Sequence, residues 1–102
     1  MDAEKLNSTM EKALKSGDKN TVRLAVDEFA AAFHSNAFII NGSEYVLHTA
    51  ARCFAYVGDK QNAMEFVRLA EWNGYINFRE METDKDLEIL WGDAEFREIF
   101  SE

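Results

Sequence analysis

Apolar residues recur at helical spacing in four blocks of this chain, which cover residues 6–14, 22–33, 45–57 and 63–72. Within each block they fall three or four positions apart, so that they line one face of a helix. The five glycines are Gly17, Gly42, Gly58, Gly74 and Gly92. Because glycine often ends a helix, this spacing predicts four consecutive helices separated by short turns.

The residues that precede three of these blocks favour helix starts at the same places. Asp18 and Asp59 each follow a glycine, and Ser43 follows the turn sequence Asn-Gly. Side chains of these types accept hydrogen bonds from the free N–H groups of a first helical turn. We therefore expect Asp18, Ser43 and Asp59 to cap the second, third and fourth helices.

The short apolar run Ala-Phe-Ile-Ile at 37–40 is the one place where the pattern is ambiguous. Its β-branched residues suit a strand, and a strand stays open as the alternative. The run is short, and no similar run elsewhere offers it a partner. We interpret residues 37–42 as a loop that follows the second helix and folds back onto the core.

The chain also contains an internal similarity at an offset of 41 residues. The tripeptide Gly-Asp-Lys occurs at 17–19 and again at 58–60. The same offset aligns the apolar positions of the first two blocks with those of the last two. A match that preserves the apolar positions on both sides of a turn indicates two copies of one helix–turn–helix unit.

The second unit, residues 43–74, resembles a tetratricopeptide repeat. Ala51 and Ala63 stand where that family has small residues at the contact of its two helices, and Phe54 and Val67 stand at the larger positions beside them. Small residues at such a contact let two antiparallel helices approach closely. Gly74 replaces the usual final proline.

The first unit, residues 1–36, departs further from the family. Met10, Val22 and Phe29 occupy positions that are usually small, and the offset of 41 residues exceeds the usual repeat of about 34. The resemblance implies an all-α fold of two antiparallel helical hairpins, of which the first is irregular.

Residues 75–102 resemble the closing segment of many bacterial tetratricopeptide proteins. Asp93 would cap a last short helix, and the segment would cover the end of the helical stack, which otherwise exposes an apolar face. Its expected buried side chains are Leu87, Leu90, Phe96, Ile99 and Phe100. The whole chain would then be one domain closed by short C-terminal helices.

Charge narrows the range of partners. The 102 residues carry a net charge of −8. Residues 1–74 hold 10 acidic and 8 basic side chains, a net charge of −2, whereas residues 75–102 hold 9 and 3, a net charge of −6. An acidic chain without a basic stripe argues against nucleic acid and against an anionic membrane surface, because both bind through basic side chains. A basic protein partner stays open.

The chain has one cysteine and no apolar run of about 18 residues, and its N-terminus has no apolar stretch like that of a signal peptide. One cysteine cannot form an internal disulfide. We therefore expect a cytoplasmic protein without a membrane span.

The sequence disfavours a calcium loop, a zinc site and a catalytic cysteine–histidine pair. The acids of residues 84–95 have the spacing of a calcium loop, but Ile89 stands where that loop needs glycine. His34, His48 and Cys53 are too few and too far apart for a zinc site. Cys53 and His48 project to different sides of one helix, which disfavours a catalytic pair. We expect no enzyme activity, no metal and no cofactor.

The expected function is a protein-interaction module that holds a peptide or a helix of a partner protein. In an array of helical hairpins, the first helix of each hairpin lines the concave groove. The residues predicted to line it are Asn7, Glu11, Tyr45, His48, Thr49 and Arg52. Exposed aromatic side chains often anchor partners, and the candidates are Tyr45, Tyr56, Trp72 and Tyr75. Two alternatives stay open: an acidic inhibitor or immunity-type protein that blocks a basic surface, and a homodimer that covers its own groove.

Overall fold

The computed structural model describes residues 2–36, 40 and 42–101, and within them the chain is helical with no β-strand. The five α-helices are α1 (Ala3–Ser16), α2 (Lys19–His34), α3 (Tyr45–Tyr56), α4 (Lys60–Trp72) and α5 (Ala94–Phe100). Two 3₁₀ helices, Phe78–Thr83 and Lys85–Leu90, lie between α4 and α5. The predicted all-α fold of two hairpins followed by short C-terminal helices is confirmed.

Aspartate caps and glycine turns define both hairpins. Asp18 accepts a hydrogen bond from the N–H of Asn20 at the start of α2, and Asp59 accepts one from the N–H of Asn62 at the start of α4. Gly17 ends α1 with φ of 74°, a left-handed conformation that side chains with a Cβ rarely adopt. Both aspartate caps were predicted, because the short acceptor follows directly on the glycine that ends the preceding helix.

The predicted cap at Ser43 is wrong. The N-cap residue of α3 is Glu44, and no side chain makes the capping hydrogen bond there. The backbone carbonyl of Ser43 instead accepts the N–H of Val46. Of the apolar run at 37–40, only Ile40 is described, and it is buried outside any regular element. Gly42, at the end of the predicted loop, is also described and lies in a turn with φ of 87°. Residues 37–39 and 41 fall outside the described part of the chain, and with them most of the predicted loop and its strand alternative.

The two hairpins share one core, in which α3 is the central helix. It packs against α1, α2, α4 and the second 3₁₀ helix. Ala51 and Ala63 are fully buried in the second hairpin. The larger Met10, Val22 and Phe29 are fully buried as well, and Phe29 contacts the ring of Phe66 on α4 at a centroid distance of 5.9 Å.

The closing segment, residues 75–102, buries all five side chains predicted to lie inside: Leu87, Leu90, Phe96, Ile99 and Phe100. Asp93 lies at the N-cap position of α5, but its side chain makes no capping hydrogen bond. Its carboxylate lies 3.9 Å from the ammonium of Lys60 instead.

Ion pairs join the acidic closing segment to the basic side chains of the second hairpin. Arg52 on α3 pairs with Asp84 at 2.7 Å, and Arg68 on α4 pairs with Glu95 at 2.7 Å. The concentration of acids in the last quarter of the sequence thus complements cations that the second hairpin presents to it. Within the described residues, no helix combines the length and hydropathy needed to cross a bilayer.

Candidate functional site

The six residues predicted to line one open groove do not share one environment. Asn7, His48 and Thr49 are buried, so their predicted place on an exposed groove wall is wrong. Tyr45 and Glu11 lie at the surface, and Arg52 is partly exposed. The physical reason is the position of α3: α1 covers one side of it and the closing segment another, so its polar residues face other helices instead of solvent.

His48 joins three parts of the fold through both ring nitrogens. Its Nε2 lies 2.6 Å from Oδ2 of Asp84, and its Nδ1 lies 2.9 Å from the hydroxyl of Tyr75. The Nε–H of Arg52 donates to the same Oδ2 of Asp84 at 2.7 Å. These four side chains, His48, Arg52, Tyr75 and Asp84, form what we call the His48–Asp84 junction.

The junction holds His48 in its neutral form. Burial lowers the pKa of His48, and the positive charge of Arg52 lowers it further, against the opposing effect of Asp84. Because an ionised carboxylate only accepts hydrogen bonds, Nε2 carries the proton and donates to Asp84. Nδ1 then accepts the hydroxyl proton of Tyr75. Both nitrogens are satisfied without a charge on the ring.

Asp84 supplies the negative charge of the junction. Burial alone would raise the pKa of Asp84, but hydrogen bonds from Arg52, from the backbone N–H of Asp86 and from His48 outweigh burial and lower it. Its Oδ1 accepts the N–H of Asp86 at 2.9 Å and so caps the second 3₁₀ helix. The carboxylate of Asp84 therefore caps the second 3₁₀ helix and also links it to α3 through His48 and Arg52.

Beside the junction lies an open groove of about 440 Å³, which we call the central groove. Leu14 and Lys15 of α1, Arg52, Ala55 and Tyr56 of α3, and Lys85, Asp86 and Ile89 of the second 3₁₀ helix line it. This volume is within the range of about 300–1,000 Å³ that is usual for ligand pockets. Of the six predicted site residues, only Arg52 lies on this groove.

The charge of the central groove is opposite to that of the whole chain. Three cations, Lys15, Arg52 and Lys85, line it together with one acid, Asp86. The Nε of Arg52 lies 3.6 Å from the carboxylate of Asp86, and its side chain is 32% exposed. Among the described residues, no carboxylate lies within ion-pair distance of either lysine. Lys15 and Lys85 therefore line the groove without an ion-pair partner among the described residues.

Half of the residues that line the central groove are apolar or aromatic. Leu14, Ala55 and Ile89 supply aliphatic surface, and the ring of Tyr56 lies beside them. The hydroxyl of Tyr56 donates to the backbone carbonyl of Gly17 at 2.7 Å, which fixes the ring across the end of α1. A ligand that combines an apolar side chain with a negative charge suits such a surface.

Sequence reasoning missed both lysines of this groove. Lys15 is in the last turn of α1, and Lys85 is near the other end of the sequence. Neither stands in a motif, and only the docking of the closing segment on α3 brings them to one surface. Tyr56 was among the aromatic candidates because tyrosine often anchors partners, and that was the one available signal.

Cys53 is a buried free thiol. Burial raises the pKa of the Cys53 thiol to about 12, which keeps it protonated, and the thiolate is the reactive form. Its sulfur lies 4.0 Å from the backbone carbonyl of Met10. Within residues 2–36, 40 and 42–101, no group of three His, Cys, Asp or Glu side chains is placed to hold a metal ion.

Comparison of the chain with protein-family models, with curated proteins and with solved structures finds no match.

Proposed function

We propose that this protein is a non-enzymatic interaction module of the tetratricopeptide-like type, which holds a peptide segment of a partner protein in the central groove. The single observation that carries the proposal is the groove itself, in which two lysines without an ion-pair partner among the described residues lie beside apolar side chains. The tetratricopeptide-like assignment rests on the sequence resemblance of residues 43–74; α3 packs on α4, and Ala51 and Ala63 are buried.

The chemistry of the groove favours a segment that carries a carboxylate and an apolar side chain. An acidic group would meet Lys15 and Lys85, which are both exposed, and each such surface ion pair contributes at most about 1 kcal/mol. An aliphatic or aromatic side chain would cover Leu14, Ala55 and Ile89, and each buried methylene contributes about 0.8 kcal/mol. The net charge of the chain favours a basic partner, but the groove has the opposite local charge.

The acidic-inhibitor alternative stays a prediction, and we rank it second. Five of the nine acids in residues 75–102 already lie in ion pairs with basic side chains of this chain: Glu82, Asp84, Asp86, Asp93 and Glu95. Acids that neutralise internal cations are less available to a basic partner surface.

We also place the protein in the cytoplasm, because its one cysteine is a buried free thiol and offers no disulfide.

The test is selection of binding peptides from a random decapeptide display library on the immobilised protein. We expect enrichment of peptides with Asp or Glu next to an apolar residue. The variant K15E/K85E should weaken their binding about tenfold or more, because two attractions become two repulsions.

The matched control is K5E/R97E, which makes the same change in net charge at two exposed cations, on α1 and α5, that do not line the central groove. Binding should change less than about twofold in this variant, measured at concentrations where sedimentation gives a monomer. Equal losses in the two variants would mean that net charge and not the groove is responsible. A selection without acidic enrichment would contradict the proposal.

A further inference from the structure

The outer side of the first hairpin is a helical surface whose grooves are lined only by side chains within residues 2–28. α1 and α2 contact each other and α3, and α3 lies on their inner side. A shallow groove of about 430 Å³ runs between α1 and α2 on the outer side, and a second one of about 400 Å³ continues it towards the start of α1. Thr9 and Glu28 line both, so we treat them as one surface, the outer groove.

The outer groove combines a protruding apolar side chain with a small-residue hollow. Leu24 on α2 is 73% exposed and lines the groove beside the apolar Ala25. Thr9 and Ala13 on the facing side of α1 are small. The surface thus carries a protruding leucine and, across from it, small side chains that leave room for one, as a surface that binds a copy of itself requires.

The charges of the outer groove are also self-complementary. Lys5 on α1 and Glu28 on α2 line the same stretch of it, on opposite sides. Neither forms an ion pair with another described residue. A two-fold axis parallel to the helices places α1 of one copy over α2 of the other at the same height. Lys5 of each copy then faces Glu28 of the other, and this pair occurs twice.

The same operation directs Leu24 of each copy towards Thr9 and Ala13 of the other, since these positions share one level of the antiparallel hairpin. We propose that the outer groove is a homodimer interface, with Leu24 as its apolar anchor and Lys5–Glu28 as its two symmetric ion pairs. This proposal is independent of the central groove, which lies on the other side of α1 and stays open to a ligand.

The dimensions of the surface predict a weak dimer. Helices of 14 and 16 residues are about 21–24 Å long, and two packed helices are about 20 Å wide. Two such faces bury on the order of 1,000 Å² together, the lower limit for a specific interface. We therefore expect a dissociation constant in the micromolar range or weaker, with exchange between monomer and dimer over accessible concentrations.

The first test is sedimentation equilibrium of the full chain from about 1 µM to about 1 mM. We expect concentration-dependent dimerisation, which Leu24→Asp weakens by about 10- to 100-fold because it removes one buried leucine per copy and places two charges in the interface. The matched control is Ile76→Asp, at a side chain that is 92% exposed outside the outer groove. It should leave dimerisation unchanged.

The second test is charge exchange. Lys5→Glu and Glu28→Lys each place like charges opposite one another and should weaken dimerisation by about three- to tenfold, whereas K5E/E28K restores the opposite-charge pairs and the affinity. Circular dichroism of each variant checks that the monomer is folded.

A chain that stays monomeric at all concentrations would overturn the proposal. So would a dimer that survives Leu24→Asp, or one that the exchange of both charges fails to restore. Loss of the dimer in K15E/K85E instead would assign the contact to the central groove, and would also overturn it. Peptide selection on the monomer is unaffected by any of these results, so the two proposals fail separately.

Discussion

The two hairpins have the same turn chemistry but differ in how much of each is buried. In both, a glycine with positive φ is followed by an aspartate that caps the next helix. Nine of the twelve residues of α3 are buried, whereas five of the fourteen residues of α1 are. The difference arises because described elements pack on several sides of α3, while the outer side of α1 has none. Local sequence signals therefore determine each hairpin. The number of elements that pack on a helix then determines how many of its faces are buried.

The same difference explains where polar groups need partners. His48 and Thr49 lie on faces of α3 that solvent would reach in a helix covered on one side only. Thr49 donates to the carbonyl of Tyr45 at 3.4 Å, and His48 uses the junction. On α1 the buried polar residue is Asn7, whose Oδ1 has no hydrogen-bond partner among the described residues. On the enclosed helix α3, His48 thus obtains from the closing segment the hydrogen-bond partners that water supplies to an exposed side chain.

The largest expected effect is the loss of an aromatic ring from the enclosed hairpin. Phe54 on α3 stacks on Phe66 of α4 at a centroid distance of 5.6 Å and is 2% exposed. Phe54→Ala should lower the free energy of unfolding by about 3–5 kcal/mol, since a cavity remains where the ring was. Urea denaturation followed by circular dichroism measures this.

The comparison variant is Leu24→Ala on the outer side of the first hairpin. It also shortens a large apolar side chain, but one that is mostly exposed, and we expect a change within about 0.5 kcal/mol at concentrations where the chain is a monomer. Similar losses in the two variants would mean that the hairpins do not differ in burial as described.

Asp84→Ala tests the link between the second hairpin and the closing segment. It leaves the Nε2–H of His48 buried without an acceptor and removes the cap of the second 3₁₀ helix, so we expect a loss of about 2–4 kcal/mol. Asp93→Ala is the matched control, because its carboxylate is exposed and caps no helix, and it should cost at most about 1 kcal/mol. If Asp93→Ala costs as much, the stabilising effect belongs to the acidity of the segment and not to the junction.

The stability of the protein should decrease in mild acid because of His48. Its pKa in the folded state is below the ordinary value of 6.5, so between the two values the unfolded chain binds a proton that the folded chain does not. The contribution is complete above about pH 6.5 and is lost as the pH falls below it. The lowered pKa of Asp84 acts in the same direction, but only below 3.8.

Urea midpoints between about pH 8 and about pH 5.5 measure this dependence. His48→Gln should reduce the slope below pH 6.5, because glutamine can donate to Asp84 but cannot be protonated. An unchanged slope in His48→Gln would contradict the assignment.

The hairpins could be predicted from sequence because their signals are local. Gly17 and Asp18 mark one turn within two residues, and the apolar period of each helix is visible without its neighbours. The buried side chains of the closing segment were instead predicted from its resemblance to the closing segment of tetratricopeptide proteins.

Most of the candidate site could not be predicted from the sequence, because it depends on contacts between distant parts of the chain. Nothing near His48 in sequence indicates that Asp84 will cover it, so a residue expected on an open groove is buried. Lys15 and Lys85 meet at the central groove only after the closing segment has docked. The 3₁₀ geometry of that segment was also not predicted, since its apolar spacing suits a short α-helix equally well.

The smallest loss of stability that we expect from breaking a described contact concerns the one described hydrogen bond from α3 to the turn of the first hairpin. Tyr56→Phe removes the bond from its hydroxyl to the carbonyl of Gly17 and leaves the ring in place. Because both groups can bond water once separated, we expect a loss of about 0.5–1 kcal/mol. Amide exchange at Gly17, whose N–H bonds the carbonyl of Leu14, should become faster, while exchange within α4 follows only the change in global stability. If exchange at Gly17 is unchanged, the turn is held by its own glycine and aspartate alone. The first hairpin would then owe its geometry entirely to local sequence, and the difference from the second hairpin would be sharper than the contacts indicate.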